Sequence, residues 1–500
     1  MNTPPSIPAT SSNSPAAGPS ETIGTSDTIG TSDNTLLRAH AVARDAADPL
    51  ADCRSRFSIP EDVIYLDGNS LGPLPNGVAE RVARAVTEEW GTGLIRSWNN
   101  AGWVDLPAGA GAKIARLIGA EAGNVMVTDS TSVNLFKVVS AALALRPDRQ
   151  VILTETRNFP TDNYIAEGVI KQCGDRHRLV HLDDAADLTD ALDENVAVLM
   201  LTHVSYRTGA MHDMKALTKA AHDVGALVIW DLAHSAGALP VDLAGCDADF
   251  AVGCGYKYLN GGPGAPSFVY VAPQHLGGFR QPLTGWFAHK DPFAFAPHYE
   301  PATDITQFLC GTSPVLSLVA LDAALDVWAD VDMDALRSKS SALCDYFIQL
   351  VESRCDGHGL TLITPRDAAV RGSQVSFTHE TGGYAMISAL IAALFYMLLL
   401  ALLKPFRVFQ INALALVTQI LIRPRQSSSV MALHLRSLHT GRRRRQIAVG
   451  SVKCRVKMAR QVLLYHGNAH DDDGERDLRR PKGARGAGSC TCIGDWSDPA

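Results

Sequence analysis

No two cysteines in this sequence have zinc-finger spacing. The ten present (Cys53, Cys173, Cys246, Cys254, Cys310, Cys344, Cys355, Cys454, Cys490 and Cys492) are scattered, with one weak Cys-x-Cys near the end. That usage argues against a metal ribbon or a disulfide scaffold and fits a reducing cytoplasm. There is also no apolar core near Met1, where Pro and Ser dominate, so no signal peptide is expected. Nor is there an excess of positive charge: 45 Lys and Arg against 52 Asp and Glu give −7, which argues against a whole-protein nucleic-acid binder. Charged residues make up only 19% and hydrophobic ones 46%, so most of the chain can bury a core. Five hundred residues suit two domains, one large and one small.

Residues 1–34 are Ser, Thr, Pro, Gly and Ala with little else, and Thr-Ile-Gly-Thr-Ser-Asp occurs twice in a row. Such a segment buries too little apolar surface to offset its ordering entropy, so a disordered tail is expected, with a phosphorylated arm as the alternative. Leu36–Ala51 reads as a helix, Ile64–Asp67 as a short strand breaking into a Gly/Asn turn, and Gly77–Glu89 as a helix. Ser97–Trp103 is an aromatic loop, either packed surface or a pocket wall.

The chain then alternates. Asn124–Thr128, Val151–Thr154, Val196–Thr202 and Ser267–Val271 read as strands, and the stretch from Val133 and Met214–Val224 as helices. Asn158–Tyr164 reads as a loop. Strand–helix alternation predicts an α/β fold, a mainly parallel sheet covered on both faces. Further on, Val315–Trp328 and Asp334–Glu352 read as helices. Leu360–Ile363 and Gln374–Phe377 read as strands of a smaller domain.

The organising stretch is Ala226–Gly264. An apolar run stops at Asp231, His234 follows, then Phe250-Ala-Val, then Lys257 between Tyr256 and Tyr258. Ligands of open α/β sheets sit beyond the carboxyl ends of the strands, where a carboxylate and a lysine can converge on one small molecule. Pyridoxal phosphate (PLP) chemistry wants that pair: an amine to form an imine with the aldehyde, and a carboxylate to keep the pyridine nitrogen protonated. A capping Asp and an ordinary surface Lys are the plain alternative. Ser130-Thr131-Ser132, between a strand and a helix, reads either as a cap or as a phosphate seat on free helix N–H groups.

Six motifs taken together resemble the kynureninase family, PLP enzymes of fold type I. They are Tyr65-Leu-Asp-Gly-Asn-Ser-Leu-Gly72, Phe159-Pro-Thr-Asp162, Trp230-Asp-Leu-Ala-His234, Gly255-Tyr-Lys-Tyr-Leu-Asn260, Gly285-Trp-Phe287 and Cys310-Gly-Thr312, over roughly Leu36 to Ala392. The resemblance implies a large domain with a mainly parallel seven-stranded sheet (35–330) and a smaller α/β domain (331–392). It implies that Lys257 holds PLP, Asp231 pairs with the pyridine nitrogen and His234 lies beside the ring. Thr131 and Ser132 would hold the phosphate. Phe159, Pro160, Thr161 and Asp162 would line the ring face, and Thr202 would contact the cofactor. Tyr256 would be a phosphate-side tyrosine and proton donor. Trp286 and Thr312 would reach the cofactor from a partner subunit of a homodimer.

The implied reaction is hydrolysis of kynurenine or 3-hydroxykynurenine to anthranilate or 3-hydroxyanthranilate and alanine, in tryptophan catabolism and NAD biosynthesis. No metal, nucleic acid or membrane partner is expected. The alternatives are another fold-type-I enzyme, a desulfurase or transaminase, or a PLP-binding protein inactive through its C-terminus. The family's small domain closes with a stretch resembling R-x-G-F-x-P-L-Y, whose arginine takes the substrate carboxylate; no such stretch follows Ala392 here. Ala385–Leu403 is instead almost continuously apolar, long enough for a membrane span. Residues 393–500 read as a non-family tail with a basic end, Arg442–Arg445.

Overall fold

The computed structural model describes residues 31–387, except 62, 381 and 384. Residues 1–30 and the tail from 388 lie outside it, and with them most of the Ala385–Leu403 run.

The sheet has seven strands: β1 (Val125–Thr128), β2 (Val151–Glu155), β3 (Arg178–Leu182), β4 (Val196–Thr202), β5 (Leu227–Asp231), β6 (Phe250–Gly253) and β7 (Ser267–Val271). Their order is β1-β7-β6-β5-β4-β2-β3. β5 pairs in parallel with β4 and β6, and β2 with β3 and β4. Only β7 is reversed, antiparallel to both β1 and β6. Six strands therefore point their carboxyl ends the same way.

Strand alternation divides the core between two layers. Val125, Val127, Val228 and Trp230 pack on one face, with Ile114 and Leu117 of α3 (Leu106–Leu117) and Leu318 and Leu321 of α7 (Val315–Leu325). Met126, Leu227 and Ile229 pack on the other, with Leu135 and Val138 of α4 (Thr131–Leu145) and Val169 of α5 (Pro160–Gln172). α6 (Met214–Asp223) is buried at Thr218, whose hydroxyl accepts from Trp230 Nε1 at 3.1 Å.

Several expected elements differ. The leading helix, α1, runs over Thr31–Ala46. It begins inside the expected tail and stops short of Ala51, which opens a separate 3-10 turn. Ile64–Leu66 is not a strand: Ile64 is 82% and Leu66 76% exposed. The expected helix from Gly77 is α2 (Val78–Arg84), continued by a π-helical stretch, Ala85–Gly93. Asn158–Tyr164 is a loop only to Phe159, because Pro160 opens α5. Proline suits the first helical position, where its missing N–H is no loss. In the last part, α8 (Met333–Arg354) is followed by an antiparallel pair, Leu360–Leu362 with Phe377–His379.

Candidate functional site

The carboxyl ends of β1, β2, β4, β5 and β6 meet at one cavity of about 250 Å³. Ser130, Thr131 and Ser132 line it beyond β1, and Phe159, Thr161 and Asp162 beyond β2. Thr202 ends β4 and Asp231 ends β5. Ala233, His234, Cys254, Tyr256, Lys257 and Tyr206 complete the wall. The volume suits one substituted ring rather than a large ligand.

Lys257 is buried, with Nζ 2.9 Å from Nε2 of His234. The same Nζ lies 5.9 Å from the Phe159 ring centroid and 5.8 Å from that of Tyr256. The Lys257 backbone is pinned by the loop before α2. Gly72 N–H donates to Tyr256 O at 2.9 Å, and a Cβ on Gly72 would come within 2.2 Å of Lys257 O. Only glycine fits there, which explains the end of the Asn69–Gly72 motif. Asn260, at φ +61°, donates from Nδ2 to Pro73 O at 3.1 Å and closes the same contact.

Two buried carboxylates share the cavity. Burial pushes Asp231 up to about 6, against the opposing pull of the Ala233 N–H and Lys257. Burial, then the charge of Asp231, raises Asp162 well above the ordinary carboxyl range. Two like charges in one buried pocket resist joint ionisation, so the pair as a whole holds a proton more tightly than free carboxyls do. Burial, then the Lys257 charge, lowers His234 to about 4, leaving a neutral imidazole. Burial also lifts the Cys254 thiol to about 11, so it is no ready nucleophile.

Asn158 organises the β2 side. Its Oδ1 accepts from the Phe159 N–H at 2.8 Å, from the Thr202 N–H at 3.2 Å and from the Thr202 hydroxyl. Thr202 Oγ1 also lies 3.3 Å from Asp162 Oδ2. Asp162 Oδ1 is buried without a hydrogen-bond partner.

A search of known protein families matches the aminotransferase class-V family over residues 64–393. Kynureninase of Pseudomonas fluorescens is 56% identical over 358 residues, 71% of this chain and 86% of that protein. Kynureninase of Burkholderia pseudomallei (strain 1106a) is 54% identical over 359 residues, with the same coverage.

The chain belongs to the kynureninase family.

Among solved structures, the cysteine desulfurase of Thermococcus onnurineus NA1 has a TM-score of 0.57 at 20% identity, covering 68% of this chain and 85% of its own. A cysteine desulfurase from Escherichia coli has a TM-score of 0.57 at 21% identity, covering 69% and 86%. That likeness is one of fold alone. As a kynureninase-family protein the chain takes PLP, and the residues present fit it. A buried amine, a buried carboxylate and a hydroxyl-rich helix start are the donors that an aldehyde, a pyridinium and a phosphate require.

Of the residues anticipated for the site, Thr131, Ser132, Phe159, Thr161, Asp162, Thr202, Asp231, His234, Tyr256 and Lys257 line the cavity. Pro160 does not; it opens α5 behind Phe159. Trp286 and Thr312 are not in its wall either. Close to them in sequence, Gly285 abuts Cys310, where a Cβ would come within 1.7 Å of the Cys310 carbonyl oxygen. Residues not anticipated are Tyr206, Ala233 and Cys254, which line the cavity, and Asn158, which bonds to Phe159 and Thr202. Asn158 had a signal, an amide between a buried strand and a proline-started helix. No arginine of the described residues lines the cavity. Arg337 is spent on the Arg371, Gly372 and Ala368 carbonyls, and Arg371 on Asp345.

Proposed function

We propose that this chain hydrolyses kynurenine or its 3-hydroxy form to the corresponding anthranilate and alanine in the cytoplasm, as a step of tryptophan catabolism that feeds NAD biosynthesis. The convergence of Lys257, Asp231 and the Ser130–Ser132 helix start on one cavity carries this reading. PLP bound there supplies an aldehyde for the lysine and a ring that draws electrons from the substrate's α-carbon. Lys257 Nζ removes and returns the proton at that carbon. Asp231 would hold the proton on the ring nitrogen, and Asp162 would line the ring face beside it. Thr131, Ser132 and the N–H groups starting α4 seat the phosphate. Phe159, Thr161 and Thr202 line the ring, with Pro160 holding Phe159 in place, while His234 packs beside it and Tyr256 donates a proton. Water attack on the γ-carbonyl then needs no metal.

A homodimer suits the exposed apolar residues Ile64, Leu66, Trp90, Leu94 and Ile95, and would bring Trp286 and Thr312 to the partner's cavity. The large domain would span 35–330 and the small one 331–392, with 393–500 outside the family pattern. The test adds PLP and then kynurenine to the full chain, and follows visible absorbance and anthranilate fluorescence. No fluorescence from this chain or from one given a family-like C-terminus, with the cofactor bound, would refute the substrate.

A further inference from the structure

Two lysines are buried among the described residues: Lys257, and Lys137 in the second turn of α4. Lys137 is fully buried and has no place in the cavity wall. A helical side chain leans toward the helix N-terminus, and this one runs back to the turn that opens α4. Its Nζ donates to Asp129 Oδ2 at 2.5 Å, to the Phe308 carbonyl at 2.5 Å and to Asn134 Oδ1 at 3.4 Å. All three ammonium hydrogens are thus placed. Asp129 stands between β1 and the hydroxyl run Ser130–Ser132, at φ +47°, a left-handed conformation that aspartate adopts at a cost. The fold holds it there from several sides. Its carbonyl accepts the Ser267 N–H at 2.9 Å, and Oδ2 accepts the Thr128 hydroxyl at 3.0 Å as well as Lys137. Asn134 Nδ2 donates to the Thr128 carbonyl at 2.8 Å and ties the end of β1 to the same helix. Ser130 lines the cavity and Asp129, its neighbour in the chain, does not.

We infer that Lys137 is a positioning residue for the phosphate seat: it locks the left-handed turn at Asp129 and holds that carboxylate off the cavity. The start of α4 then offers a phosphate its free N–H groups and the Thr131 and Ser132 hydroxyls, with no like charge among them. Without the ammonium, the Asp129 carboxylate loses its counter-charge and the strained turn loses its strongest tether. A carboxylate one residue from the seat would then be free to face an anionic phosphate, which it repels. The inference rests on the reading of Thr131 and Ser132 as the phosphate seat.

The test uses the full chain freed of carbonyl ligands. PLP and pyridoxal, which lacks the phosphate, are titrated separately, and the visible absorbance of the lysine-bound form is read. Lys137→Met is expected to weaken PLP binding roughly tenfold to hundredfold, the worth of one hydrogen bond to a charged group, and to leave pyridoxal binding unchanged. Adding Asp129→Gly to that variant restores most of the PLP affinity, because glycine holds the left-handed turn unaided and carries no charge. Thermal unfolding is followed alongside. Lys137→Gln, which keeps a donor but no charge to hold Asp129, carries the comparison if the methionine variant does not fold. An equal loss for PLP and pyridoxal overturns the inference, since a general loosening of the helix would weaken both. So does an unchanged PLP affinity, or a glycine variant that restores nothing. A parent that binds pyridoxal as tightly as PLP would overturn the phosphate seat itself, and this inference with it.

Discussion

Asp231 Oδ1 accepts the backbone N–H of Ala233 at 2.7 Å, at the buried end of the central strand. One carboxylate oxygen is thus committed to the fold. The charge is kept at a cost, because burial raises this group to about 6.

Asp231→Asn is therefore expected to gain stability as it loses function. An acid raised in the folded state favours folding fully below its unfolded value, and that contribution is lost as pH rises from 3.8 to about 6. Near neutral pH the cofactor-free variant should be more stable by roughly 2–3 kcal/mol. It still binds PLP, but turnover falls by orders of magnitude, since a neutral amide cannot hold the ring proton by charge. Paired melting and kinetic curves check both halves. Near-normal turnover would sink the role given to Asp231.

Lys257→Ala should abolish the visible absorbance of bound PLP and the labelling of this position by borohydride. A visible band that survives dialysis in this variant would remove Lys257 from its role.

Asn158→Ala should weaken cofactor retention and lower stability by about 1–3 kcal/mol, because the buried Thr202 groups lose their acceptor. Thermal melting with and without PLP reads both. An unchanged midpoint would show that water replaces the amide.

At the other end of the strands, Asp249 accepts from His222 at 2.8 Å, His275 at 2.6 Å and the Val228 N–H at 2.8 Å. Burial alone would raise Asp249, but these bonds prevail and hold it below the ordinary range. The Asp249 bond raises His222, against burial. The sign follows. The Asp249 contribution is present above 3.8 and lost as pH falls through its lower folded value; the His222 contribution is present below 6.5 and lost as pH rises through its higher one. Asp249→Ala should cost roughly 3–5 kcal/mol in mildly acidic buffer and less in alkaline buffer. A pH-independent loss would argue against charge in this cluster.

Replacing residues 393–500 with a family-like C-terminus should raise kcat/KM for kynurenine on the order of a hundredfold, as a bidentate arginine meets the substrate carboxylate. PLP affinity should hardly change, since the cavity residues all precede Ala320. Equal kcat/KM for the two chains would mean that another group already binds the carboxylate.

The sheet and its ligand end were legible because buried parallel strands are short apolar runs, and Asp231 and Lys257 stand where two of them stop. Less legible were elements whose pattern conflicts with their setting. Arg178–Leu182 is an edge strand with no fully buried residue, so its apolar signal is diluted. Ile64–Leu66 has the composition of a strand but finds no partner strand, and its side chains face out. Pro160 looks like a break and is a helix start.

The reversed β7 has a consequence for biosynthesis. β1, which leads into the proposed phosphate seat at Ser130–Ser132, pairs among the described residues with β7 alone, about 140 residues later. On a ribosome adding on the order of 5–20 residues per second, β1 waits roughly 7–28 seconds for its partner strand. Until Ser267–Val271 emerges, the seat has no support on that side, and closing so long a loop carries its entropy cost before any contact rewards it. The newborn chain thus completes Lys257 before the partner strand of β1 exists.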